Sequence, residues 1–290
     1  MFIKNYFYKT SDLLMPNGSM LISDTLDKRD KFMNEVFYEL YKDDINKFKT
    51  TRKTALLYIG GAGEHHSVSR NFNLTPKGIM PVKSQLGYIA SKTAKRLGNI
   101  SYLSINSNAC ASSMFALKEA YELLENGFDD VIIYGEEWVE EVELFLFRQH
   151  GIDLVCSDGF FILHLVKESS NTFAQINKPS WIWNDDKSPF EVSKEGYLKA
   201  MENFKSEKFD LIKTHGSGTP QNNKAELDAI QEFFTQIKTI EYKSYIGHSQ
   251  GVSTGLELCM LLDSFIGSNK HILINASGLG NFYGSCSIRI

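Results

Sequence analysis

Short apolar runs alternate along most of the chain with longer segments of helical periodicity. The runs are bounded by Gly, Asn, Asp and Ser, which is typical of strands in a buried sheet. Strands are predicted over residues 55–59, 102–105, 131–134, 160–166, 174–183, 209–214, 271–275 and 285–290. Helices rich in Leu, Ala, Glu and Lys are predicted over residues 27–48, 84–97, 111–125, 193–205, 224–236 and 253–265. This alternation predicts an α/β protein with helices packed on the faces of a sheet.

The order of these elements indicates one body made of two related halves. From about residue 208 onward, strands and helices roughly repeat the order found earlier in the chain. No segment has the composition of a linker, and no short tandem repeat is present. We therefore expect a single body over residues 1–290, with pseudo-repeated halves at about 1–170 and 171–290. A single doubly wound sheet would give a similar pattern, so periodicity alone leaves that alternative open.

Composition and charge narrow the function classes. The chain has 290 residues, of which 42% are hydrophobic and 23% charged, so it can bury a large core. Its 31 Lys and Arg against 35 Asp and Glu give a net charge of −4, with the signs interleaved. A basic stripe is missing, so nucleic acid is not an expected partner. No apolar run is long enough for a membrane span and the first residues lack a signal-peptide pattern, so we expect a cytoplasmic protein.

Metal and cofactor signals are weak. His65 and His66 are adjacent on a glycine-rich segment, and no third ligand has suitable spacing. The glycines of residues 60–63 lack the spacing and the downstream acidic residue of a dinucleotide fingerprint. The four cysteines are widely separated and contain no CxxC pair, which argues against a zinc site or a disulfide framework. We expect neither a metal nor an organic cofactor.

Candidate chemistry begins at Cys110, where a predicted strand ends and a predicted helix starts. Its neighbours in residues 106–113 are small or polar (Asn-Ser-Asn-Ala-Cys-Ala-Ser-Ser), which leaves room for a substrate. At the start of a helix the backbone N–H groups and the partial positive charge favour a thiolate and can lower the pKa of the cysteine. From position alone, a buried and unreactive cysteine at a strand-to-helix turn is the alternative.

Two histidines lie in glycine-rich turns that precede predicted helices. His215 opens residues 215–220 (His-Gly-Ser-Gly-Thr-Pro), and His248 lies in residues 247–251 (Gly-His-Ser-Gln-Gly). The carboxyl ends of strands usually form the ligand crevice of an α/β protein, so both side chains are expected near Cys110. Taken singly, either histidine is more often a capping or surface residue.

Three segments together resemble the decarboxylating β-ketoacyl synthases, the Cys-His-His condensing enzymes of the thiolase superfamily. They are residues 109–113 around Cys110, residues 215–226 beginning with His215, and residues 243–255 around His248. Their order along the chain also fits the family. The resemblance implies a thiolase-like fold, with duplicated halves forming α/β/α/β/α layers, over about residues 55–290.

The resemblance also implies roles for individual residues. Cys110 would be the nucleophile, and His215 and His248 would serve the condensation. Lys243 and Glu226 match supporting positions that hold the histidine loops, with a plain surface charge as the alternative for each. Residues 275–285 resemble a degraded glycine-rich family loop, so the backbone N–H groups of Cys110 and Leu279 would form the oxyanion hole.

The implied activity is a decarboxylative Claisen condensation of a cysteine-bound acyl group with a malonyl thioester, as in fatty-acid or polyketide biosynthesis. The implied partners are an acyl carrier protein and a second subunit, either an identical copy or a related synthase chain. Two alternatives stay open: a cysteine-dependent acyltransferase to another acceptor, and a non-elongating partner similar to a chain-length factor. The chain is shorter than typical family members, and the usual opening strand is not recognisable in residues 1–50.

Overall fold

The computed structural model describes residues 1–29, 33–60, 85–168, 170–189 and 191–290. Within these ranges an eleven-stranded sheet dominates the molecule, beside a two-stranded hairpin. The strands are β1 (Phe2–Thr10), β2 (Leu13–Leu14), β3 (Met20–Leu21), β4 (Thr54–Ile59), β5 (Ile100–Asn106), β6 (Asp130–Glu137), β7 (Gly159–Val166), β8 (Ala174–Ile176), β9 (Ser180–Trp183), β10 (Leu211–Lys213), β11 (Thr239–Ile240), β12 (His271–Gly278) and β13 (Phe282–Arg289). The α-helices are α1 (Met33–Asn46), α2 (Leu86–Leu97), α3 (Ser112–Glu125), α4 (Glu141–Gln149), α5 (Lys194–Met201), α6 (Pro220–Phe233), α7 (Lys243–Ile246) and α8 (Ser253–Phe265).

Most predicted elements are confirmed, with shifted boundaries. The strand predicted over 174–183 divides into β8 and β9, and the helix predicted over 27–48 divides into a 3-10 segment, Ser23–Lys28, and α1. Helix α6 begins four residues early, at Pro220, since proline is favoured in the first turn of a helix. The longest elements that were not predicted are helix α4 and strand β1, which occupies the region where no opening strand was recognised. The short elements β2, β3, β11 and α7 were not predicted either.

The two flanks of the sheet have the same strand order and the same directions. On one side β5, β4 and β6 are parallel, followed by antiparallel β7 and β1. On the other side β11, β10 and β12 are parallel, followed by antiparallel β13 and β8. The flanks join where β1 pairs with β8. The division of the chain into related halves stays a prediction, and this matching order supports it.

The helices complete a layered α/β/α/β/α arrangement. Helices α3 and α8 supply much of the central core, where they pack against both flanks of the sheet. The outer face of the first flank is covered by α1 and α2, and that of the second flank by α5 and α6. The predicted α/β class and layering are therefore confirmed. Because both central helices begin at the same edge, the segments that precede them, around Cys110 and His248, come together there.

No helix in the described part of the chain has the length and apolar character needed to span a membrane. The cytoplasmic location stays a prediction.

Candidate active site

Cys110 lies in a tight turn between β5 and α3. Ala109 adopts a positive φ of 48°, which is uncommon for a residue with a side chain. The Ser112 hydroxyl holds this turn from inside, because it donates to the Ala109 carbonyl at 2.6 Å and accepts from the Asn108 N–H at 2.7 Å. The strand-turn-helix context predicted for the cysteine is therefore confirmed.

The expected lowering of the Cys110 pKa is wrong. Its side chain is buried, with 8% of the residue exposed, and burial raises the pKa of the thiol to about 12. The positive charge of Lys243 acts in the opposite direction and is outweighed. Burial therefore favours the protonated thiol over the thiolate.

The backbone of His248 is hydrogen-bonded to residues 155–157. Its N–H donates to the Val155 carbonyl at 2.7 Å, and its carbonyl accepts from the Ser157 N–H at 3.1 Å. The ring atom Nδ1 accepts from the Gln250 N–H at 3.0 Å, so in the neutral ring the proton is on Nε2. Burial, with help from Lys243, lowers the pKa of His248 well below its usual value. The ring is therefore neutral at pH 7, and its Nε2–H can donate a hydrogen bond.

His215 lies next to His248, with 5.7 Å between the ring centroids. The Glu226 carboxylate fixes the turn that carries it, accepting from the His215 N–H at 2.7 Å and the Gly216 N–H at 3.0 Å. Burial lowers the pKa of His215 well below its usual value, so this ring is also neutral. Its Nδ1 atom has no hydrogen-bond partner among the described residues. Glu226 is buried, which rules out the plain surface charge considered for it.

A group of buried charges lies behind the histidines. The Lys243 ammonium donates to the His215 carbonyl at 2.6 Å and to Glu257 Oε1 at 2.7 Å. The ammonium of Lys213 pairs with the other oxygen of Glu257. Burial lowers the pKa of Lys243 to about 8. Glu226 acts electrostatically on both lysines, while burial lowers the pKa of Lys213 well below its usual value and raises that of Glu226.

Sequence reasoning missed Lys213 and Glu257. The available signal was a single charged residue at the end of an apolar strand, in Leu211-Ile212-Lys213, or inside an apolar helix, in Leu256-Glu257-Leu258. A charge in such a position is buried and needs a partner, because burial of an unpaired charge is costly.

Cys110, His215 and His248 all line one cavity of about 730 Å³. The structure therefore brings the predicted trio together. Further walls come from residues 150–154, 217–222 and 277–279. His65 and His66 lie outside the described residues.

Leu279 also lines this cavity, directly after the end of β12. The preceding Gly278 packs on the backbone of the cysteine turn: a Cβ atom there would lie 2.9 Å from the Ala111 nitrogen and 3.1 Å from the Cys110 nitrogen. Only glycine allows this close approach. It brings the start of the Leu279 peptide beside the Cys110 N–H. The oxyanion hole formed by Cys110 and Leu279 stays a prediction that this packing supports.

Comparison with known proteins supports the same family. Residues 191–265 match the model of the beta-ketoacyl synthase C-terminal domain. That stretch contains His215, Glu226, Lys243, His248 and Glu257. A search of curated proteins found no match.

Solved structures establish the fold. One matching structure is of a type II polyketide synthase acyl-carrier protein in complex with its ketosynthase bound to the hexaketide. The match has a TM-score of 0.78 and 15% identity, and it covers 97% of this chain and 91% of that chain. The ishigamide ketosynthase/chain length factor matches with a TM-score of 0.79 and 16% identity, covering 98% of this chain and 91% of that chain. An oxazolomycin ketosynthase domain from Streptomyces albus JA3453 matches with a TM-score of 0.74 and 14% identity, covering 90% of this chain and 60% of that chain. The chain is thus short beside the third structure and similar in length to the first two.

These findings confirm the resemblance to β-ketoacyl synthases. The chain has the thiolase-like ketosynthase fold, in a shortened form, and carries a ketosynthase-type C-terminal segment.

Proposed function

We propose that the protein is a condensing enzyme of the β-ketoacyl synthase type that acts on acyl and malonyl thioesters. One observation carries this proposal: Cys110, His215 and His248 line the same cavity. Supporting it, both imidazoles are held neutral by burial, and Glu226 and Lys243 hold the His215 loop by direct hydrogen bonds.

In the first half-reaction, Cys110 Sγ attacks the carbonyl of an acyl thioester. The bond from the acyl carbon to Sγ forms as the bond to the carrier sulfur breaks, and the thiol proton ends on the departing carrier sulfur. Because burial raises the pKa of Cys110, the thiol gives up its proton during the attack rather than before it. Holding the acyl group covalently divides one difficult step into two.

In the second half-reaction, a malonyl thioester enters and loses carbon dioxide. The electron pair of the broken C–C bond forms an enolate, whose carbon attacks the Cys110-bound carbonyl and displaces Sγ as a thiolate. The thiolate then takes up a proton from solvent. The Nε2–H of His248, and an N–H of His215, donate to the enolate oxygen. Neutral donors suit this task because they stabilise the developing charge without giving up a proton.

Replacement of His248 by alanine tests this division of roles. Condensation should fall about 10²–10³-fold, the loss typical of removing one preorganised donor worth about 3–4 kcal/mol. Loading of Cys110 from an acyl thioester should change much less, and it serves as the internal control for folding. Product formation is followed by mass spectrometry with an acyl and a malonyl carrier protein. A variant that condenses at the original rate would remove His248 from the mechanism.

The proposed partners are an acyl carrier protein and a second synthase-type subunit. In the described part of the chain, β5 is the last strand on its side of the sheet. Its side chains Tyr102, Leu103 and Ile105 are 38–41% exposed. An unpaired apolar strand edge is a surface that another strand can extend. We therefore favour pairing of β5 with the same strand of a second copy.

Replacement of Ile105 by lysine should convert a dimer to a monomer, because it places a charge on this apolar edge. Light scattering after size-exclusion chromatography measures the mass. The matched control is Leu227→Lys on α6, since Ile105 and Leu227 are each 41% exposed. An unchanged dimer in the Ile105 variant would exclude the β5 edge as the interface.

A second candidate function is that of a non-elongating partner of another synthase subunit. The structural similarity of this chain to the ishigamide ketosynthase/chain length factor favours it. The intact nucleophile Cys110 favours the condensing enzyme. Acylation of Cys110 in the isolated protein distinguishes the two candidate functions, because a non-elongating partner would form no acyl adduct.

A further inference from the structure

Gln250 joins two buried thiols at the inner wall of the cavity. The Cys110 thiol donates to Gln250 Oε1, with 3.6 Å between sulfur and oxygen. The amide Nε2 of Gln250 donates to Cys156 Sγ, also at 3.6 Å. Gln250 and Cys110 line the cavity, whereas Cys156 is buried and is not one of its lining residues.

The Gln250 backbone is fixed at this position. Its φ is +43°, an uncommon value for a residue with a side chain, and its N–H is bound to His248 Nδ1. The next residue is Gly251, and a Cβ atom added there would lie 3.2 Å from the Ala109 carbonyl oxygen. The loop therefore packs closely on the cysteine turn. The side-chain amide therefore starts from a defined point beside Cys110 Sγ.

Acylation of Cys110 changes what this amide can bond to. Forming the thioester removes the thiol hydrogen, so Gln250 Oε1 loses its donor. A saturated acyl chain offers no replacement. A hydroxyl on the third carbon of the acyl group can do so, because that oxygen lies within a few bonds of Sγ and carries a hydrogen. Replacing a lost hydrogen bond in a partly buried site favours the acyl group that supplies the donor, by about threefold to tenfold for one net hydrogen bond.

We infer that Gln250 is a specificity-determining residue that favours acyl groups bearing a hydroxyl at the third carbon over saturated acyl groups of the same length. This inference rests on the proposed function, because it concerns the acyl group that Cys110 accepts.

The test compares loading of Cys110 from the N-acetylcysteamine thioesters of butyrate and of 3-hydroxybutyrate, with the two enantiomers measured separately. Intact-protein mass spectrometry gives each rate without a carrier protein. The wild-type protein should load one 3-hydroxybutyryl enantiomer about threefold to tenfold faster than butyryl. In Gln250→Leu, which keeps the size but removes the amide, this ratio should fall to about one. The matched control Gln175→Leu, on an exposed position of β8, should keep the wild-type ratio.

Two results would overturn the inference while leaving the proposed function intact: equal loading of the thioesters by the wild-type protein, or a preference that Gln250→Leu retains. Loading of no thioester by the wild-type protein would contradict the proposed function itself, and the inference with it. A Gln250 variant that fails to load is checked by thermal unfolding, and Gln250→Met then provides the second measurement of the same ratio.

Discussion

Replacement of Cys110 by alanine is expected to abolish acyl loading and to reduce condensation to background, a fall on the order of 10⁵–10⁶-fold. The nucleophile is the point of covalent attachment, so nothing else in the site can substitute for it. Decarboxylation of a malonyl thioester should persist in the same variant, because we assign that step to His215 and His248. Release of carbon dioxide and the intact-protein mass measure the two half-reactions separately.

Cys259→Ala is the matched control, since Cys259 is a buried thiol of the α8 core outside the cavity lining. It should keep the Cys110 adduct. An acyl adduct on the Cys110 variant would place the nucleophile elsewhere. Loss of decarboxylation in that variant, with folding intact, would show that the two half-reactions do not divide between the cysteine and the histidines as proposed.

Replacement of Glu257 by glutamine is expected to lower the free energy of unfolding by about 3–5 kcal/mol, the usual cost of removing one partner from a buried ion pair. Glu257 faces both Lys213 and Lys243, and all three residues are at most 5% exposed. Without its charge, both ammonium groups lose the carboxylate that contacts them. Urea denaturation measures the loss.

The control for this effect is Glu232→Gln, which removes the partner of Lys194 in an exposed pair. Its cost should be far smaller than that of Glu257→Gln, because exposed ion pairs contribute little to stability. Combining Glu257→Gln with Lys213→Met restores the charge balance and should recover part of the lost stability. If Glu257→Gln costs no more than the surface control, the buried charges do not support the site as described.

Local sequence patterns predicted the frame of the site well. The strand, turn and helix around Cys110, and the glycine-rich turns of His215 and His248, depend on neighbours within a few residues. For Cys110 and His215, the meeting at one edge follows from the general rule that loops after parallel strands share a side of the sheet, whereas His248 follows the short helix α7.

The electrostatics of the site could not be predicted in this way. The pKa of Cys110 depends on burial by segments far away in the chain, among them Gln250 and Gly278. A helix start seen in isolation suggests a lowered pKa, and burial reverses that direction. The role of Glu257 likewise depends on two lysines from other elements, which no local pattern connects.

Strand β1 was missed for a similar reason. It is stabilised by pairing with β7, more than a hundred residues later, and by its contact with β8. Its sequence mixes apolar residues with Lys4 and Asn5, so its alternation alone was a weak signal.

Incubation of the wild-type protein with an acyl carrier protein thioester, followed by malonyl carrier protein, tests the central claim most directly. We expect intact-protein mass spectrometry to show an acyl adduct on Cys110 that disappears when malonyl carrier protein is added, with a β-ketoacyl product on the carrier. An adduct that persists with malonyl carrier protein and transfers only to another acceptor would contradict the account, as would the absence of any adduct on Cys110.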